Sequence, residues 1–203
     1  MDSSGNEASA TPVGGVSYTA GKDAGSAVFL NGSDAYITTP ILWDYEIPGF
    51  TISAWITLSE ITSMKEHMIM GNCSDYVSFN GFWAEYYKDI GHRFVHLSDV
   101  FTDIITCVPD TWYHVVYVYD SSRPFGEEFN FYLDGSIMVT SYLYYTPTGA
   151  SDLFIGAVGS AYADGMTGTE NTLFHGAIDQ LMIWDRPLSE TEVIELYNTQ
   201  APK

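Results

Sequence analysis

Along most of this chain apolar residues recur at every second position in short runs, and clusters of Gly, Asn, Asp and Pro separate the runs. That is the period of a pleated strand with one face toward a core. The stretch 51–58, TISAWITL, sets Ile52, Ala54, Ile56 and Leu58 against Thr51, Ser53, Trp55 and Thr57, and predicts a half-buried strand. Residues 82–87 put Phe82, Ala84 and Tyr86 on one side and Trp83, Glu85 and Tyr87 on the other. Residues 113–119 are nearly unbroken β-branched and aromatic residues, the mark of a central strand covered on both faces.

Shorter strands are predicted at 27–30, 35–38, 67–70, 76–79, 93–97, 101–107, 129–133, 137–145 and 153–157. Turn signals join them at Asn31-Gly32-Ser33-Asp34 and Asp134-Gly135, and loops are expected at 40–48, 146–152 and 159–172. The segment 174–197 ends the pattern. A strand holding Ile178, Leu181, Ile183 and Trp184 stops at Pro187, and Ser189 with Glu192 forms a capping box for a helix from Glu190 to about Tyr197. About a dozen strands at roughly 8 to 12 residue spacing, one short C-terminal helix and no βα alternation predict an all-β, two-sheet antiparallel sandwich of jelly-roll type.

The chain has 203 residues, enough for one substantial domain; 16–203 is read as that domain and 1–15, rich in Ser, Gly, Ala and Thr, as a linker or disordered arm. Aromatic residues make up 15% of the chain, which strengthens the strand reading. A net charge of −19 argues against nucleic acid and anionic membranes as partners, although excess carboxylates also serve solubility. No apolar run reaches the length of a membrane-spanning helix. The first residues lack the basic start and apolar centre of a signal peptide and read as the cut edge of a larger exported protein. Cys73 and Cys107 either pair in an oxidising compartment or stay as buried thiols.

Four segments in a fixed order carry a resemblance: AVFLNGSDAYI at 27–37, FTISAWI at 50–56, TWYHVVYVYD at 111–120 running into FNFYLDGSIMV at 129–139, and FHGAIDQLMIWDRPLSETEVIELY at 174–197. Together they make the chain resemble the laminin-G-like, concanavalin A-like jelly-roll superfamily, in particular the lectin-like modules of secreted polysaccharide-degrading enzymes and surface proteins. The resemblance implies packing roles for Trp55, Trp112 and His114. It also implies a structural calcium held by the Gly32 carbonyl and the carboxylates of Asp34 and Asp179, completed by a carbonyl near residues 21–23. Calcium takes six to eight oxygens, and a cation would explain an acid in an apolar strand. The alternative is that Asp179 caps backbone amides or pairs with Arg186, and that Asp34 only closes an Asx-turn.

A retaining glycosidase needs two carboxyl groups about 5–5.5 Å apart. Glu85 stands alone on its strand, Glu127 and Glu128 are sequential, and the five His lack a converging spacing, so no catalytic residue is expected. Non-catalytic binding of a polysaccharide is the first reading. Sugar faces stack on aromatic rings, and Trp83, Tyr87 and Tyr132, with Glu85 and Arg93 beside them, would form a platform on one sheet. Trp43 and Tyr45, and Tyr142 and Tyr144, are further candidates; the alternative for each ring is sheet packing. The second reading is a protein-binding or adhesion module using an acidic rim and the loop 159–172. Either way the chain is expected to be a monomeric, secreted or cell-surface module that works beside other domains of a parent protein.

Overall fold

The computed structural model describes residues 9–23, 25–43, 47–61, 66–72, 81–87, 91–96, 99–102, 106–143, 151–158 and 173–200. Among these, fourteen strands form two seven-stranded sheets. In the first sheet the order is β1 (Thr11–Val13), β4 (Tyr36–Trp43), β13 (Ser151–Ile155), β6 (Glu66–Gly71), β7 (Phe82–Tyr87), β8 (Gly91–His96), β9 (Asp99–Thr102). In the second it is β12 (Ser136–Ser141), β11 (Phe129–Leu133), β10 (Tyr113–Asp120), β5 (Gly49–Leu58), β14 (His175–Trp184), β3 (Ser26–Asn31), β2 (Ser17–Ala20). Every neighbouring pair of strands is antiparallel. The architecture is the all-β sandwich of jelly-roll type that the pattern predicts.

The alternation places the core. Phe82, Ala84 and Tyr86 of β7 and Phe94 of β8 face Phe50, Ile52 and Ala54 of β5, Tyr117 of β10 and Phe129 of β11 across the gap between the sheets. Rings from both sheets meet there: Phe82 and Phe94 stack at 5.1 Å and 13°, and Phe94 lies 6.0 Å from Phe50, 5.6 Å from Tyr117 and 5.0 Å from Phe129. Burial of such rings dominates the energetics of a core.

Outside the second sheet, helix α1 (Glu190–Gln200) completes the fold. Its start is the predicted capping box: the Ser189 N–H donates to Glu192 Oε2 at 2.8 Å, and the Glu192 N–H donates to Ser189 Oγ at 3.3 Å. Val193 is buried against Val116, Val118, Tyr132 and Leu188. Gly176 lets β14 lie close to β5: it has φ +156°, and an added Cβ would sit 2.0 Å from the Thr57 carbonyl oxygen.

Three expectations are corrected. Residues 51–58 are buried on both faces, because α1 and the 186–188 segment cover the side that carries Thr51, Ser53 and Trp55. Trp55 stacks on Tyr197 at 5.8 Å and its indole N–H donates to Gln200 Oε1 at 2.9 Å. Thr11–Val13, assigned to the linker arm by composition, is edge strand β1; Pro12 costs no ladder bond at an edge, and Thr11 to Val13 pair with Thr38 to Tyr36. Strand β4 runs through Pro40, expected in a loop, because Pro40 falls at an irregularity in its pairing with β13. The predicted strand 76–79, Tyr45, Tyr144 and the loop 159–172 lie outside the described residues.

Candidate functional site

On the outer face of the first sheet, β7 and β8 run in register with Glu85 opposite Arg93 and Tyr87 opposite Gly91. Side-chain alternation therefore sends Trp83, Glu85, Tyr87, Arg93 and Val95 to one surface. Glu85 and Arg93 form an ion pair, and the Arg93 guanidinium carbon stands 5.4 Å from the centre of the Tyr87 ring. Sequence alternation thus brings four of its candidates together.

A fifth partner was missed. Glu66, the first residue of β6, pairs with Tyr87 and places Oε1 3.6 Å from Arg93 Nη2, so two carboxylates converge on one guanidinium nitrogen. Glu85 is therefore not alone. The signal was weak: Glu66 precedes the apolar run 67–70 by one residue, and only the register of β6 on β7 shows that it shares the face.

The electrostatics follow from depth. Glu85 is 0% exposed, and burial pushes its carboxyl up to about 7 against the opposing pull of Arg93, with the Glu66 charge pushing the same way. Glu66 is also raised, again by burial first. Trp83 is 3% exposed and packs with Met68, Val95 and Val158, so its ring is a packing element rather than an open platform. Tyr87 is half-buried, and the Arg93 side chain keeps 18% of its surface. These two, with Glu66 at 26%, are the groups of the cluster that solvent reaches.

Tyr132 does not belong to this surface. It lies on β11 in the second sheet, 1% exposed beneath α1. Alternation placed it outward, and outward on that sheet means under the helix. Trp43 ends β4 opposite Ser151 in the first sheet, and its side chain lies outside the described residues. Tyr142 is exposed and stacks on Phe125 at 5.6 Å and 22°, away from the Arg93 cluster in sequence and sheet.

The expected calcium ligands are not brought together. Asn31 pairs with His175, so the Asn31–Asp34 turn lies four residues along β14 from Asp179, about 13 Å at strand rise. Each acid is already used locally. Asp34 Oδ1 accepts from Asn31 Nδ2 at 2.6 Å and from the Gly15 N–H at 3.1 Å, while Asn31 Oδ1 accepts from the N–H groups of Ser33, Asp34 and Ala35. Asp179 accepts from the Lys22 N–H at 3.1 Å and the Gln180 N–H at 2.8 Å, the amide-capping alternative; Arg186 pairs instead with Glu192 at 2.7 Å. Gly32, Asp34 and Asp179 therefore do not fit one shared ion, and among the described residues no group of three or more His, Cys, Asp or Glu could hold a metal.

Two of the buried histidines lie apart from this cluster. His114 is fully buried under α1, shares a hydrogen bond with Ser53 Oγ at 2.8 Å, and is pushed down to about 4 by burial and, second, by the charge of Lys22. His92 lies in the core 3.4 Å from Cys107 Sγ and is pushed down to about 3 by burial. Cys73, which either pairs with Cys107 or stays a free thiol in the sequence reading, lies outside the described residues.

Comparison with solved structures finds the same architecture in domains of other proteins. Domain 4 of AbnA, an extracellular arabinanase of family GH43 from Geobacillus stearothermophilus solved with arabinotriose, matches with TM-score 0.66 and 17% identity, over 94% of this chain and 87% of that domain. The binding domain of botulinum neurotoxin serotype G matches with TM-score 0.73 and 19% identity over 98% of this chain, and a Trypanosoma rangeli sialidase complex with TM-score 0.67 and 16% identity over 96%. This chain spans 48% of the toxin domain and 30% of the sialidase chain. At these identities the likeness is one of fold. No curated protein matches the sequence. Residues 31–194 match the Laminin_G_3 family, and the chain belongs to the concanavalin A-like lectin/glucanase superfamily.

Proposed function

We propose that this chain is a non-catalytic carbohydrate-binding module of a larger extracellular protein, and that it takes neutral glycans on the outer face of the first sheet, at Tyr87, Arg93 and Glu66. One observation carries the reading: a half-exposed aromatic ring, a guanidinium and a carboxylate are held side by side on adjacent strands. A sugar ring offers an apolar C–H face to Tyr87, and its hydroxyls can meet Arg93 and Glu66. The lectin-like fold and a structural neighbour solved with arabinotriose support the same ligand class.

Charge favours neutral over acidic sugars. Arg93 is the cation of the cluster and is already matched by Glu66 and Glu85, while the chain carries −19. An incoming carboxylate finds no uncompensated positive charge there and meets a repelling field.

Binding is favoured over hydrolysis by what separates the two glutamates. A glycosidase places its carboxyl groups on either side of a sugar bond. Here a guanidinium fills that space, and Glu85 is closed off from solvent.

The test is an array of neutral and acidic oligosaccharides probed with the protein and with Tyr87→Ala, alongside a reducing-sugar assay. Retention of neutral glycans, weakened about tenfold or more by the substitution, is expected, without release of reducing ends. Retention of acidic sugars alone, unaltered retention by Tyr87→Ala, or no retention at all would remove this reading, and hydrolysis would replace it.

A further inference from the structure

The second sheet contains a buried charge that the glycan reading does not use. Lys22 lies at the tip of the β2–β3 hairpin, where the Gly21 N–H donates to the Gly25 carbonyl at 3.0 Å. From that tip the side chain reaches past β3 and β14, and its ammonium stands 3.7 Å from the centre of the Trp55 ring on β5. The side chain is 1% exposed, and among the described residues Nζ has no hydrogen-bond acceptor in range. Asp23 Oδ1 is its nearest anionic oxygen, at 3.8 Å.

An ammonium taken out of water is costly unless opposing charge or a ring face compensates it, and lysine ordinarily extends its head to solvent. This one is held inside by three features. The Trp55 ring offers its negative face. Burial lowers the Lys22 pKa overall, and the carboxylates of Asp23 and then Asp179 oppose that by favouring the charged form. The hairpin tip is also fastened to β14 through the backbone: the Lys22 N–H donates to Asp179 Oδ2, and Gln180 Nε2 donates to Asp23 Oδ2 at 2.9 Å. Gly21 permits this approach, since a Cβ there would lie 2.6 Å from Asp179 Oδ2. On the far side Trp55 is pinned by Tyr197 and Gln200 of α1.

We infer that the Lys22 ammonium is the built-in cation of this module: it supplies, on the face of Trp55 and beside Asp23 and Asp179, the positive charge expected from a structural calcium. The N-terminal hairpin, the last strand, the central strand β5 and the C-terminal helix are thereby tied together without a metal.

Thermal denaturation tests this directly. The protein treated with chelator and the protein in millimolar calcium are expected to melt at the same temperature. Lys22→Met, which keeps length and removes charge, should lower the melting temperature by several degrees. It should lower it less in an Asp179→Asn background, because part of the loss is the coupling between the two charges. If Lys22→Met does not fold, Lys22→Arg, which keeps the charge and stacks on indole, should fold with a melting temperature near that of the wild type. A chelator-induced fall, a calcium-induced rise, equal costs of Lys22→Met in both backgrounds, or failure of Lys22→Arg to restore the fold would each overturn the inference.

Discussion

Buried ionisable groups make the sharpest statements about single residues, and in this chain they pull in opposite directions. Glu85, raised to about 7, holds its proton more tightly folded than unfolded, so its contribution to stability is fully present below about pH 4.5 and is lost as pH rises through 7. His92 and His114, depressed to about 3 and about 4, contribute stability above about 6.5 that is lost as pH falls toward those values. Between pH 7 and 4.5 Glu85 therefore offsets part of the loss from the imidazoles. Melting temperatures of Glu85→Gln across pH 4.5 to 8 should show a steeper acid decline than the wild type; a parallel curve would mean that Glu85 titrates at an ordinary value. The same residues show what alternation can reveal. It placed Trp83, Glu85 and Tyr87 on one face of their strand, because side-chain direction is a local property of a strand. It could not show that Trp83 is covered or that Glu66 joins the group, because these depend on neighbouring strands.

The last element displays both a local device and a long-range one. The Ser189–Glu192 box is complete within four residues and was legible from type and spacing alone. Ser189→Ala should cost about 1 kcal/mol, read as a lowered denaturation midpoint with an unchanged denaturant slope. Its partner Glu192 is held down at about 2 by Arg186 first, then by the amide and hydroxyl of Ser189. The helix is thus held from outside its own sequence as well. Strand β14 is different: its pairing with β5 shifts between Asp179 and Met182, and Gln180 takes φ +48°. This irregularity adjoins the Lys22 hairpin tip, and nothing in the run IDQLMIW announced it. Alternation predicts a strand but not where a bulge will re-aim it.

Taken whole, the molecule rests on one apolar layer that neither sheet owns. Phe94 of the first sheet touches Phe50, Tyr117 and Phe129 of the second, so its removal leaves a cavity between the sheets. Phe94→Ala should cost about 3–5 kcal/mol. Near-ultraviolet and far-ultraviolet dichroism should lose their signals in one coincident transition. Separate transitions would mean that the sheets melt independently.

What could be read without coordinates was whatever depends on near neighbours in the chain: strand periods, turn residues, the capping box, and which side chains of one strand share a face. The order of four motifs added the superfamily, because that order reflects the connectivity of the sandwich. Pairing register and layer contacts stayed hidden, since they join residues far apart in sequence. Register set Asn31, where the turn to Asp34 begins, four residues along β14 from Asp179, about 13 Å at strand rise, so the expected calcium ligands lie apart. Helix α1 turned the outward-pointing Trp55 and Tyr132 into core, and the Lys22 side chain, reaching from a hairpin tip, came to lie on the Trp55 ring. Local sterics and hydrogen bonding set the first group; the second follows from which surfaces the closed sandwich leaves for burial.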